Sequence, residues 1–185
     1  MTDTTIDIPG YKAGTWKLDP AHSEVSFSVR HMMISKVRGT FGVKDATIVA
    51  PENPLEARVE ATVDVTSVDT KDEGRDAHLR SGDFFDAENH PTFDFVSKGV
   101  RIEDGEFLVD GDLTIRGVTK PATFELEFGG FGVDPWGNYK AGATAKTVVN
   151  REDFGLTWNA ALETGGVLVG KDVTITLDLQ GSFAE

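Results

Sequence analysis

The chain has 185 residues, 26% of them charged and 39% hydrophobic, with no cysteine and a formal net charge of −13. That length supports one domain with a sizeable core, and the composition is that of a folded chain. Acids outnumber bases 31 to 18, which argues against a phosphate-backbone binder and against binding to anionic membrane surfaces. The absence of cysteine excludes disulfides, thiolate catalysis and Cys-based zinc sites.

The polar, acidic opening MTDTTIDIPGYKAG lacks the basic and apolar regions of a secretion signal. No run approaches the roughly 20 apolar residues of a membrane-spanning helix. The cytoplasm is therefore the expected compartment. Residues 1–12 read as a flexible arm that ends after the Pro9-Gly10 breaker, and 13–185 as a single domain.

From Trp16 onward the pattern has period two. Val25, Phe27 and Val29 alternate with Glu24, Ser26, Ser28 and Arg30. Ala57, Val59, Ala61, Val63 and Val65 alternate with Arg58, Glu60, Thr62 and Asp64. Further on, Phe124, Leu126 and Phe128 alternate with Glu125 and Glu127, and Val173, Ile175, Leu177 and Leu179 with Thr174, Thr176 and Asp178. Such segments are strands with one buried and one wet face. EDGEF and DPWGN join them with hairpin chemistry. About eight strands follow, a mostly antiparallel all-β chain in the range of up-and-down barrels and sandwiches.

One stretch departs from this. In VDTKDEGRDAHLRSGDFFD, Asp72 can N-cap a helix over about 72–81, with Gly82 as its stop. Its apolar residues are few: Ala77 and Leu79, leading into Phe84 and Phe85. A helix so poor in apolar surface cannot build a second core, but it can cap the end of a barrel.

The same stretch holds the densest group of chemically active side chains, His78, Asp83, Asp86 and His90. These are competent metal ligands, yet the spacing matches no pattern such as HExxH. No G-x-S-x-G elbow or S-x-x-K occurs, and the runs FGGFG and TGGVLVG match no phosphate-binding fingerprint. Small residues point to a different use of the fold. Ala141, Ala143 and Ala145 share one strand face, and twelve phenylalanines supply apolar wall. Small inward residues leave space inside a barrel, although a solid core packed around them satisfies the same pattern.

WKLDPAHSEVSFSVRHMMISKVRGTF, RDAHLRSGDFFDAENHPTFDFVS, GDLTIRGVTKPATFELEF, NREDFGLTWN and GKDVTITLDLQG together resemble the YceI-like family, in order over about residues 15–182. Gln180 stands where the family's last strand usually carries Glu. The resemblance implies an extended lipocalin-like antiparallel barrel whose apolar tunnel holds a polyisoprenoid or similar lipid, a homodimer, no cofactor beyond that lipid, and no catalysis. Many relatives are periplasmic, so with no secretion signal in view the periplasmic role is not carried over.

On that basis the expected function is a non-catalytic carrier or store for an isoprenoid lipid, such as a quinone or prenyl chain. The expected tunnel wall is Val25, Phe27, Val29, Phe41, Val59, Val63, Phe93, Phe95, Phe107, Phe124, Leu126, Ala141, Ala143 and Ala145, with Leu79, Phe84 and Phe85 plugging it from the helical lid. The head-group candidates are His31, Arg75, His78 and Arg80, since arginine suits a pyrophosphate and histidine a quinone carbonyl. The alternatives are a metal-assisted hydrolase built on His78, Asp83 and His90, and a ligand-free β scaffold acting through protein partners.

Overall fold

The computed structural model describes residues 6–159 and 168–184. Its strands are β1 (Gly14–Leu18), β2 (Glu24–His31), β3 (Ser35–Ala50), β4 (Arg58–Asp69), β5 (Thr92–Glu103), β6 (Glu106–Ile115), β7 (Val118–Val133), β8 (Tyr139–Asn150) and β9 (Val169–Ala184). From β2 to β9 each strand pairs antiparallel with the next, and β9 returns to β2. Eight strands thus close an up-and-down barrel, in agreement with the sequence expectation. The ninth, β1, continues the line of β2 after a 3-10 turn over Pro20–His22. It fills the place between β3 and β9, with Trp16 opposite both Ile48 and Phe183.

Tight turns follow from backbone chemistry. At the β5–β6 turn Asp104 and Gly105 have φ of 52° and 81°, and at β6–β7 Arg116 and Gly117 have 50° and 73°. Two-residue hairpin loops with both centres at positive φ match the right-handed twist of the strands they join.

Within the long strands the alternation is interrupted by design. Register shifts fall between Val43 and Asp45 in β3, Ser97 and Gly99 in β5, and Phe128 and Gly130 in β7. Each inserts one extra residue, which reverses the parity of inward side chains and bends the strand. FGGF is such a site: the bulge lets both Phe128 and Phe131 reach the lumen. Gly39 serves close packing instead, because a Cβ there would lie 2.5 Å from the Phe27 ring on the paired strand.

The helix α1 runs Glu73–Arg80, within a residue of the expectation at each end. Asp72 caps it, accepting a hydrogen bond from the Arg75 amide at 3.0 Å. The expected stop at Gly82 is corrected. The chain leaves the helix at Ser81 in an extended conformation, and the Ser81 hydroxyl donates to the His78 carbonyl at 2.5 Å. Gly82 has no left-handed backbone. Among the described residues no helix is long and apolar enough to cross a membrane.

Part of the segment read as a flexible arm is seated on the barrel. Ile8 is buried, and the Tyr11 hydroxyl donates to the Pro51 carbonyl at 2.6 Å. An apolar side chain buried against the barrel outweighs the entropy of a few residues.

Candidate functional site

The inward faces enclose one cavity of about 450 Å³ that runs the length of the barrel. This lies within the range of about 300–1,000 Å³ usual for small-molecule sites. Two buried clusters flank it, one around Val109, Leu113 and Phe124, the other around Val25, Phe41 and Val43. They share Leu79, Phe85, Phe93, Ile175 and Leu177. The structure places every tunnel-wall residue named from the sequence on this lining, including Leu79, Phe84 and Phe85 from the lid. Of the head-group candidates, His31, Arg75 and His78 reach the cavity and Arg80 does not.

At one end the lumen is shut by aromatic rings. Trp16 lies 5.8 Å from Phe131, 5.6 Å from Tyr139 and 5.3 Å from Phe183, centroid to centroid. Phe128 continues the stack, 5.9 Å from Phe131 and 5.5 Å from Phe107. The Trp16 indole N–H donates to the Lys12 carbonyl at 3.0 Å, and Lys12 Nζ sits 3.9 Å above the Phe183 ring.

The opposite end is closed by α1 through polar contacts. Thr70, at the end of β4, donates from its amide and hydroxyl to Asp76 at 2.8 and 2.5 Å. Arg75 clamps the same threonine, through Nε to the hydroxyl and Nη2 to the carbonyl, both at 2.8 Å. These donors are therefore largely committed to holding the lid. His78 pairs with Asp83 at 2.8 Å and sets its ring edge-on to Trp158 at 4.8 Å and Phe84 at 5.1 Å. His90 instead lies over Gly117 in the β6–β7 turn. Among the described residues no three His, Asp or Glu side chains gather closely enough to hold a metal ion.

Sequence reasoning missed the connection after β8. Its 3-10 turn, Arg151–Phe154, is capped by Asn150 and ended by Gly155 at φ 78°. The turn aims Arg151, Phe154, Leu156 and Trp158 at the cavity. Arg151 is only 4% exposed. It donates to the carbonyls of Gly170 at 2.7 Å, Leu156 at 2.6 Å, Trp158 at 2.9 Å and Val169 at 3.3 Å. Burial lowers its pKa, against which the charge of Glu152 pushes upward. An arginine stays protonated in proteins, so this end of an apolar lumen carries a buried positive charge. The signal for the turn was the Asn150–Gly155 pair of cap and left-handed stop. Nothing in the pattern marks Arg151 itself as buried.

A closed antiparallel barrel around a long apolar cavity, with rings at one end and a hydrogen-bonded helix at the other, is a lipocalin-like barrel. The YceI-like domain profile matches residues 16–181, and the chain belongs to that family. The UPF0312 protein SAS2572 of Staphylococcus aureus strain MSSA476 is 40% identical over 169 residues, 90% of this chain and 96% of that protein. The Campylobacter jejuni YCEI protein crystal structure superposes with a TM-score of 0.67 at 26% identity, covering 100% of this chain and 98% of that one. Burkholderia cenocepacia BcnA has the same fold, with a TM-score of 0.75 at 24% identity over 88% of this chain and 98% of its own. So does a polyisoprenoid binding domain from Saccharophagus degradans, at 0.65 and 13% identity over 91% and 98%.

Proposed function

We propose that the protein is a non-catalytic carrier or store that holds one long isoprenoid lipid, a quinone or a prenyl chain, along the barrel axis. The carrying observation is the continuous apolar cavity, ring-closed at one end and polar at the other. The polyisoprenoid named for the Saccharophagus degradans domain supports the choice of ligand class. The tail lies toward Trp16 and Phe131, and the head group toward His31 and His78. At about 0.8 kcal/mol per buried methylene, ten such groups give about 8 kcal/mol, enough to offset much of the cost of association. No further cofactor is needed. The working form is a homodimer in the cytoplasm.

Native mass spectrometry tests this. The purified protein, alone or incubated with long prenyl alcohols, prenyl diphosphates or prenyl quinones, is expected to retain one lipid per chain. Ala143→Phe, which narrows the lumen, should weaken retention about tenfold. A wild-type protein that retains none of these compounds would overturn the proposal.

A further inference from the structure

The hairpin between β2 and β3 differs from the β5–β6 and β6–β7 hairpins in three ways. Its tip exposes three consecutive large apolar residues, Met32 at 44%, Met33 at 57% and Ile34 at 83%. Exposed apolar runs of this kind mark interaction sites. Met32 and Met33 also both take positive φ, 54° and 60°, in a turn closed by the Ile34 amide on the His31 carbonyl at 3.3 Å. Two other hairpins put Asp-Gly or Arg-Gly there; an Asn-Gly pair would relieve the strain and hide nothing apolar.

The third departure is electrostatic. Between Val25 and Lys44 a chain with 31 acids has none, while Arg30, Lys36, Arg38 and Lys44 are all present. All four are exposed. Arg30 and Lys36 face each other directly across the hairpin, a like-charge pairing that weakens a sheet. No described carboxylate forms an ion pair with any of them. Charged neighbours along the sheet are Lys171 and Asp172 at the start of β9, with Lys171 held by Glu152 at 3.7 Å, Asp69 opposite Thr40 and Asp64 opposite Gly42 on β4, and Asp45 next to Lys44 in β3 itself.

We infer that this hairpin docks the barrel on an anionic lipid surface, with Met33 and Ile34 entering the acyl boundary and Arg30, Lys36 and Arg38 meeting the headgroups. An apolar tip flanked by cations is the pattern of interfacial membrane anchors. The net charge of −13 does not prevent this. Charges beyond a Debye length of about 8 Å are screened at physiological salt, so the surface meets the tip and not the distant acids. A second copy is the poorer occupant, because a two-fold contact through the tip would set Arg30, Lys36 and Arg38 against their own counterparts.

Position gives the docking a purpose that rests on the carrier proposal. Arg30 and His31 line the cavity, and the Met32 amide donates to the carbonyl of Leu168, another lining residue, at 2.7 Å. Docking therefore brings the polar end of the tunnel to the bilayer from which a lipid would enter.

Co-sedimentation with vesicles tests the inference, comparing phosphatidylglycerol–phosphatidylcholine mixtures with pure phosphatidylcholine. The wild type should bind the anionic vesicles preferentially and lose affinity as salt rises. Met33→Ser with Ile34→Ser should lower that affinity about tenfold or more. Arg30→Ser with Lys36→Ser should abolish the preference for anionic lipid. Met32→Asn with Met33→Gly should raise the melting temperature while weakening vesicle binding, separating docking from folding. Equal indifference of the wild type to both vesicles, or unchanged binding by the Ser variants, would overturn the inference. So would a wild-type dimer that the Met33/Ile34 variant dissociates without any vesicle binding. Lipid retention by native mass spectrometry is read on the same samples. Retention without docking defeats this inference alone; docking without retention defeats the carrier proposal alone.

Discussion

The two ends of the barrel are closed by different physics. At the Trp16 end, β1, β7, β8 and β9 each contribute a ring, and apolar contact makes the seal. At the α1 end the closing element has few apolar residues and is held by Thr70, Asp76 and Arg75. A seal of interlocking rings opens only with the strands that carry it. A short helix held by a handful of hydrogen bonds can open locally, at a fraction of the global unfolding free energy. We infer that the ring end is the permanent floor of the tunnel and that α1 is its door.

The largest effect that bears on this contrast should come from the floor. Trp16→Ala removes a ring that is 5% exposed and should cost about 3–5 kcal/mol in denaturant unfolding; a loss under about 1 kcal/mol would mean that the rings do not form a packed seal. At the door, Asp76→Ala leaves the buried Thr70 amide and hydroxyl without their acceptor. That should cost about 1–3 kcal/mol, with amide exchange accelerated over residues 73–80 and unchanged in β7 and β8. Asp72→Ala, which removes only the helix cap, should cost about 1 kcal/mol and speed the same local exchange.

The smallest expected effect is the pH response of the Asp19 carboxyl, at the β1–β2 junction. The hydrogen bond with His22, together with the Ala21 amide and Lys140, outweighs desolvation and holds it below its ordinary value. A lowered folded pKa stabilises above the unfolded value of about 3.9, and the benefit fades as pH falls through the folded value. Asp19→Asn should therefore lower the melting temperature slightly at neutral pH, with the difference from wild type shrinking as pH falls below about 4 and the acid limb correspondingly flatter.

Much of the fold was legible because period-two alternation reports directly which strand face is buried, as at Val25–Val29 and Phe124–Phe128. The helix was legible through its cap, Asp72. The bulges were not, because one extra residue at Lys44, Lys98 or Gly129 looks like noise in an alternating pattern. Closure of the barrel was not legible either, since alternation says nothing about which strands meet; the family resemblance supplied it. The tunnel wall followed from strand parity. The polar end did not, because Arg75 is held by Thr70, Arg80 lies off the cavity, and Arg151 is buried against the usual preference of its residue type.

The head-at-the-door arrangement can be read from the tryptophans, because Trp158 lines the lid end and Trp16 the ring end. In a variant keeping only Trp158 and another keeping only Trp16, with phenylalanine at the remaining positions including Trp136, fluorescence is followed as a prenyl quinone is added. The expected result is saturable one-to-one quenching of Trp158 with Trp16 little changed. Quenching of Trp16 in preference to Trp158, or of neither, would contradict it.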